Sequence, residues 1–291
     1  MSNYFLLFTF YFLRWINYMR KQHKKLILTS IISACVIASP QILAHSKFTT
    51  TTAEEGVKVY NNISIGHGCT NPNPDKADKL AVIANSMVLP DSSGVVYIDG
   101  VQTSQPVTDF LSNWPGTFAN VPSTDIFSRQ EVILDSLGTS AIGKVSTIGK
   151  IPGNFNTGLL PFIITAPLIT NKMASTSETP ASQSPNCANT VTLYGSIADI
   201  CKFTTTTSKL TTHTQNIWAA IVGSKYEGRG IDGLDNDLVN KPDGNPATFT
   251  ITRKGTHTLD SSCGAGVVVV IKPTPTLLNQ KLSIKGKWAE K

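Results

Sequence analysis

The first residue with distinctive chemistry is His45, which follows Ala44, a small residue at a plausible signal-peptide cleavage point. If a leader is removed after Ala44, His45 becomes the mature N-terminus and offers its α-amino and ring nitrogens to one metal ion. An α-amine has a reference pKa of about 8, and amine and imidazole nitrogens suit copper best among the common divalent ions. Glu54 and Glu55 lie near enough in sequence to add an oxygen. The pattern predicts either a copper chelate or a solvated chain end.

A second candidate copper ligand is His67, within the Gly-His-Gly-Cys sequence of residues 66–69 at the end of a predicted strand. Glycines on both sides of a residue allow close backbone approach or a sharp turn. His67 is therefore either a metal ligand or part of a turn that a disulfide at Cys69 fixes. The other two histidines of the expected mature chain, His213 and His257, are predicted to be surface residues.

Oxygen donors cluster at residues 232–237, where Asp232, Asp235 and Asp237 lie on a glycine-containing loop. Calcium is commonly bound by such loops. The segment lacks the spacing and the closing Glu of an EF-hand, so it is either a weak calcium site or a solvated turn.

Signatures of catalysis are missing from the sequence. It contains no G-x-S-x-G elbow, no phosphate-binding glycine loop and no H-E-x-x-H helix. A Ser-His-Asp arrangement forms only in space, and nothing in the sequence favours one. We therefore expect a protein that is not an enzyme.

The elements that must position these residues are predicted to be mainly β-strands. Runs rich in β-branched and aromatic residues are bounded by turn residues such as Pro90-Asp91. Many short strands favour a single β-sandwich-like domain with few short helices. The best helix candidate is 125–137, and 173–185 is predicted to be a surface loop. The predicted strands are 57–65, 81–89, 95–98, 160–164, 190–200, 248–251 and 267–271.

The N-terminal segment has the order of an export signal. Basic residues at 20–25 precede a mostly apolar run at 26–38, which is followed by Pro40 and the small Ala44. The apolar run is short and rich in Ser and Thr for a membrane span.

We accordingly predict a leader over residues 1–44, with translation starting at Met19, and an extracytoplasmic domain over 45–291. The expected location is the periplasm, the outer cell surface or the medium. Two alternatives remain: an N-terminal membrane anchor, or lipoprotein cleavage that would leave a lipid on Cys35.

Charge argues against a nucleic-acid partner. The net charge is +6, but residues 1–44 hold five Lys or Arg and no acidic residue, which leaves 20 basic and 19 acidic residues in the expected mature part. A nearly neutral chain provides no general basic surface for nucleic acid.

Four cysteines remain beyond the leader, an even number that predicts two disulfides in an oxidising compartment. Three pairings are possible. We expect Cys187 to pair with Cys201 across a short loop, and Cys69 to pair with Cys263 as a staple between the two ends of the domain.

The residues around the first two candidate ligands resemble the start of YcnI-like copper-binding domains. Those domains have an N-terminal His, then a Pro-His-Gly-Cys element and a strand; here the corresponding residues are His45, 66–69 and 81–90. Gly66 stands where that family has Pro. In that family a Trp lies beside the copper, and Trp114 or Trp218 is the candidate for this role.

Later segments resemble the methanotroph surface copper proteins of the MopE and CorA type. The resemblance implies copper acquisition or handling, association with an outer-membrane surface and an unidentified copper-receiving partner. That type holds copper with two His and an oxidised Trp two residues before one of them, but this chain has no Trp-x-His, so more of the binding falls to His45 or His67. The alternative is a structural or adhesive surface protein stabilised by calcium. The similar segments are 196–201, 216–218, 246–249, 262–266 and 282–288.

Overall fold

The computed structural model describes residues 46–154, 157–172, 184–204, 210–218, 222–227 and 246–282. All of these belong to one compact unit, Ala44–Lys291. The predicted leader, His45 and the calcium candidates Asp232, Asp235 and Asp237 lie outside the described residues. No helix in the described part is both long and apolar enough to cross a membrane.

The described residues are mainly β-strands, as predicted. Two short α-helices accompany them, α1 (Val107–Phe110) and α2 (Pro275–Lys281). The strands are β1 (Lys47–Phe48), β2 (Thr52–Glu54), β3 (Lys58–Ile65), β4 (Ala84–Val88), β5 (Val95–Ile98), β6 (Val101–Thr103), β7 (Leu111–Ser112), β8 (Phe118–Asn120), β9 (Phe127–Leu134), β10 (Ala141–Gly149), β11 (Gly158–Thr165), β12 (Leu168–Ile169), β13 (Ala188–Ile200), β14 (Gln215–Trp218), β15 (Ala247–Thr252) and β16 (Val267–Lys272).

These strands form two main sheets and a small third one. The larger sheet has the order β6-β5-β16-β13-β4-β10-β9, with β14 and β15 also paired to β13 and β2 paired to β15. The second sheet has the order β1-β3-β11-β8, and β12 pairs with β7. The seven predicted strands correspond to β3, β4, β5, β11, β13, β15 and β16.

The two main sheets pack face to face, as expected of a sandwich. Phe48 on β1 and Phe162 on β11 make an edge-to-face contact with ring centroids 5.4 Å apart. Gly195 on β13 allows this pair to approach the larger sheet, because a Cβ there would lie 2.5 Å from the Phe48 ring. The core between the sheets therefore contains buried side chains of both, including Ile63, Leu193 and Phe249.

β13 is the central strand of the fold. It pairs with β4, β14, β15 and β16, and its second half is buried on both faces. One face contributes Ile197 to the core between the sheets. The other face contributes Ala198 and Ile200 to a second apolar cluster, which also includes Leu277 and Leu278 of α2.

A disulfide lies at each end of β13, and the expected pairing is wrong. Cys69 pairs with Cys201 after the strand, and Cys187 pairs with Cys263 before it. Because Cys187 and Cys201 flank the whole of β13, they are separated by roughly 45 Å at about 3.3 Å per strand residue. The short loop assumed between them is a long strand, so each cysteine pairs with a neighbouring segment instead.

The helix predicted over 125–137 is also wrong. Most of that segment is β9, which pairs along its length with β10 in the register Gln130↔Ser146 and Arg129↔Thr147. Pairing with a neighbouring strand and partial burial outweigh the weak helical period of this segment.

Lys144 on β10 is a charged residue within the sandwich and is fully buried. Its Nζ donates to Gln130 Oε1 at 2.9 Å and to the Pro161 carbonyl oxygen of the facing sheet at 2.8 Å. Loss of solvation on burial lowers the pKa of Lys144 to about 8. Below pH 8 the folded protein thus holds a charged ammonium group that unfolding would return to water.

The substitution Lys144→Met should therefore change how the free energy of unfolding depends on pH. Between pH 8 and 10.5 the unfolded wild type binds more protons than the folded one, so its stability should rise relative to Lys144→Met, by up to about 3 kcal/mol. Urea unfolding across this range measures the difference. The matched control is Lys150→Met at an exposed lysine, and parallel stability curves for wild type and Lys144→Met would contradict the account.

Candidate metal site at the N-terminal segment

The centre of the candidate site is Asp199, a carboxylate on β13 that is only 1% exposed. Its Oδ2 accepts hydrogen bonds from Ser46 Oγ at 2.5 Å and from Trp218 Nε1 at 2.9 Å. Its Oδ1 accepts from Asn85 Nδ2 at 2.8 Å. These donors come from the N-terminal segment, β14 and β4, so one buried side chain joins three parts of the chain.

The electrostatics of Asp199 reflect this burial. Burial raises the pKa of its carboxyl group, while the hydrogen bonds from Ser46, Trp218 and Asn85 and the electrostatic influence of the nearby His67 oppose the rise. Neutral donors offset only part of the loss of solvation. A positive charge beside the carboxylate would therefore be favourable.

His67 lies close to Asp199 because of the loop after β3. Its Nδ1 is 2.5 Å from the Gly68 carbonyl oxygen, which suits a tautomer that donates from Nδ1 and carries its lone pair on Nε2. Gly68 is required here, since a Cβ would lie 1.5 Å from the Leu80 carbonyl oxygen. The Cys69–Cys201 disulfide then fixes the loop to the end of β13. His67 therefore lies in the disulfide-fixed turn that the sequence allowed for, and this position is also compatible with a role of its Nε2 as a metal ligand.

A row of buried polar residues crosses the sheet at Asp199. The register aligns Ser146, Asn85, Asp199 and Asn216 on four adjacent strands. Asn216 Nδ2 donates to the Gly68 carbonyl oxygen at 3.2 Å. The buried Oδ1 atoms of Asn85 and Asn216 and the Ser146 hydroxyl have no hydrogen-bond partner among the described residues. This surplus of oxygen acceptors favours a cation nearby.

The structure does not bring Glu54 and Glu55 to this cluster. Glu54 is opposite Thr252, which is opposite Thr190 on β13. Asp199 is nine residues further along β13, a separation of roughly 30 Å at 3.3 Å per residue. Neither glutamate can share a metal ion with a group beside Ser46.

Glu55 is instead buried and hydrogen-bonded to His257. Its Oε1 is 2.7 Å from His257 Nδ1 and accepts from the Lys254 backbone N–H, while Oε2 accepts from the Ile169 backbone N–H. Both oxygens are therefore occupied. His257 was expected on the surface, but its side chain is partly buried and helps to hold Glu55 in place.

The described donors alone do not complete a metal site. No group of three or more His, Cys, Asp or Glu side chains among them is arranged to hold a metal ion. His213 is exposed, with Nδ1 3.1 Å from the Thr70 carbonyl oxygen. A site at this end of β13 thus needs the ligands expected of His45.

Sequence reasoning missed Ser46, Asn85 and Asp199. Of these, Asp199 has apolar neighbours on both sides, Ala198 and Ile200, and a buried polar residue is more informative than a buried apolar one. That signal, Asp199 within the apolar run 190–200, was available in the sequence. Comparison of the chain with protein-family models, curated proteins and solved structures found no match.

Replacing Asp199 with Asn should destabilise the fold. An amide group has one acceptor oxygen, so the Trp218 N–H would face a donor and lose its partner. We expect the free energy of unfolding at pH 7 to fall by about 1–3 kcal/mol, as measured by urea unfolding. The control Asp99→Asn alters an exposed carboxylate that accepts from the Val268 N–H. Equal losses for the two variants would contradict a special role for Asp199.

Proposed function

We propose that this chain is an exported, non-catalytic copper-binding protein whose mature N-terminus chelates the metal. The observation that carries the proposal is the hydrogen bond between Ser46 and Asp199. His45 is bonded to Ser46, so its Cα lies about 3.8 Å from that of Ser46. Leader removal after Ala44 would therefore create an amine and an imidazole next to a buried, acceptor-rich cluster.

The direction of the chain supports participation of His67. β1 is antiparallel to β3 in the register Lys47↔Ser64 and Phe48↔Ile63. The backbone leading back from Lys47 therefore runs toward the end of β3, where Gly66 and His67 follow. Two imidazoles and an α-amine would give copper three nitrogen ligands, a set that suits Cu(II).

Asp199, Ser46 and Trp218 would not bind the metal themselves but would position its ligands and balance its charge. Asp199 offers negative charge that offsets that of a cation, and its bond to Ser46 limits the positions open to the preceding residue. Outer groups of this kind typically change metal affinity by about 10–100-fold. Trp218 donates to the same carboxylate, which makes it the better candidate, over Trp114, for the Trp beside the copper in YcnI-like domains.

A location outside the cytoplasm is consistent with the proposed copper chelate. Two disulfides are typical of proteins in an oxidising environment outside the cytoplasm. Export would also supply the peptidase cut that frees the His45 amine. In that setting the protein would acquire copper or pass it to a partner at the periplasm or cell surface.

Copper titration of the mature protein, followed by tryptophan emission, tests this proposal. We expect one Cu(II) per chain and strong quenching, because the Trp218 indole lies beside the proposed site. His45→Ala should abolish binding at stoichiometric copper, and an extra Ala before His45 should do the same by moving the amine.

Ser46→Ala should weaken binding by about 10–100-fold. Trp218→Phe should remove most of the quenching, whereas Trp114→Phe should keep it.

Two variants at the other end of β13 are matched controls. Glu54→Gln and His257→Gln should leave copper affinity unchanged, because they lie roughly 30 Å from Asp199 along the strand. Unchanged affinity in His45→Ala would contradict the proposed ligands. If the protein binds no copper but gains thermal stability with calcium, a structural surface protein becomes the better hypothesis.

A further inference from the structure

At the opposite end of β13 lies a cavity of about 670 Å³ that is open to solvent. Its walls are the turn between β2 and β3, the strand β12 with the residues after it, and the segment after β15. The volume falls in the range of small-molecule sites, roughly 300–1,000 Å³. Its lining includes Glu55, Val57, Leu168, Asn171, Lys172, Lys254 and His257.

The base of this cavity is a fixed network. His257 Nε2 is 2.6 Å from Asn171 Oδ1, and Nδ1 is 2.7 Å from Glu55, so the ring is held from both sides. Arg253 donates to Asn171 Oδ1 and to the carbonyl oxygens of Thr170, Ala188 and Asn186. The ring and the guanidinium are thus rigid parts of the wall.

The same geometry argues against a hydrolytic role. The Glu55–His257 pair resembles the acid and imidazole of a catalytic triad, and Ser112 lines the same cavity. However, His257 Nε2 lies 2.6 Å from Asn171 Oδ1 and 2.9 Å from Arg253 Nη1, and the Ser112 hydroxyl donates to the Leu168 carbonyl oxygen at 3.3 Å. The imidazole is positioned to hold the wall together rather than to accept a proton from Ser112.

The charge that faces the cavity is positive. Glu55 is the carboxylate in the described lining, and its oxygens are occupied by His257 and by the Ile169 and Lys254 backbone N–H groups. The Lys254 ammonium group has no partner among the described residues and is exposed. Lys172 is also exposed; its Nζ donates to the Thr108 carbonyl oxygen at 3.2 Å and lies 3.9 Å from Asp109 Oδ1, and both contacts are open to solvent. Two lysines on fixed backbone segments therefore favour an anion.

The cavity also offers apolar surface. Val57 is 44% exposed and Leu168 is 43% exposed, although both are aliphatic residues at its edge. A ligand that covered them would gain from burying apolar area. The combination of an apolar wall and two ammonium groups is complementary to an amphipathic anion.

We propose that this cavity binds a small organic carboxylate with a short apolar body. The carboxylate would pair with Lys254 and Lys172, and the apolar body would lie against Val57 and Leu168. This site is separate from the proposed copper site and does not depend on it.

Calorimetric titration of the full mature protein with octanoate tests the proposal. Octanol tests the need for the carboxylate, and acetate tests the need for the apolar body. We expect octanoate to bind with one site per chain and both other probes to bind at least roughly tenfold more weakly, as expected for loss of a charged hydrogen bond or of apolar burial. Lys172→Gln with Lys254→Gln should weaken octanoate binding by a similar factor, whereas Lys150→Gln should not.

Three results would overturn the assignment. They are no octanoate binding, equal affinity for octanol and octanoate, and unchanged affinity in the double lysine variant. Because both substituted lysines are exposed, the double variant should fold normally, and its unfolding curve verifies this. The copper variant His45→Ala should bind octanoate as the wild type does, which distinguishes the failure of one site from that of the other.

Discussion

The buried carboxylate of Asp199 is the interaction on which the position of the N-terminal segment depends. A carboxylate withdrawn from water is costly unless donors surround it, and effective penalties amount to several kcal/mol. Here the donors come from Ser46, Asn85 and Trp218, which belong to different parts of the chain. Satisfying one charge thus requires the N-terminal segment, β4 and β14 to assemble around β13. The same requirement fixes the residue after His45 to the core.

The two ends of β13 are far apart and have opposite charge preferences. At one end, beside the Cys69–Cys201 disulfide, neutral donors surround a carboxylate and two amide oxygens have no partner in the described part of the chain, which favours a cation. At the other end, beside the Cys187–Cys263 disulfide, both oxygens of the Glu55 carboxylate are occupied by hydrogen bonds and lysines face a cavity, which favours an anion. Substitutions at such distant sites usually act independently.

The strands and the fold class depend on residues that are close in sequence, so local sequence patterns predicted them. The β-branched runs that became β5, β13 and β16 are strands because their alternation fits a pleated, buried surface, and the sandwich follows from their number. Non-local pairing was not accessible in this way. The disulfide prediction failed because it treated Cys187 and Cys201 as loop neighbours, and the helix predicted at 125–137 failed because β10 offered that segment a partner strand. Asp199 was missed because its value as a site residue depends on Ser46, 153 positions away.

Electron paramagnetic resonance of the mature protein loaded with one Cu(II) tests the central claim most directly, because nitrogen hyperfine splitting counts the nitrogen ligands. The account predicts three nitrogens in the wild type, contributed by the His45 amine, the His45 ring and the His67 ring, and two in His67→Ala. The Glu54→Gln and Glu55→Gln variants should give the wild-type spectrum. A wild-type spectrum in His67→Ala, or a spectrum altered by either glutamate substitution, would contradict the arrangement of the N-terminus around Asp199.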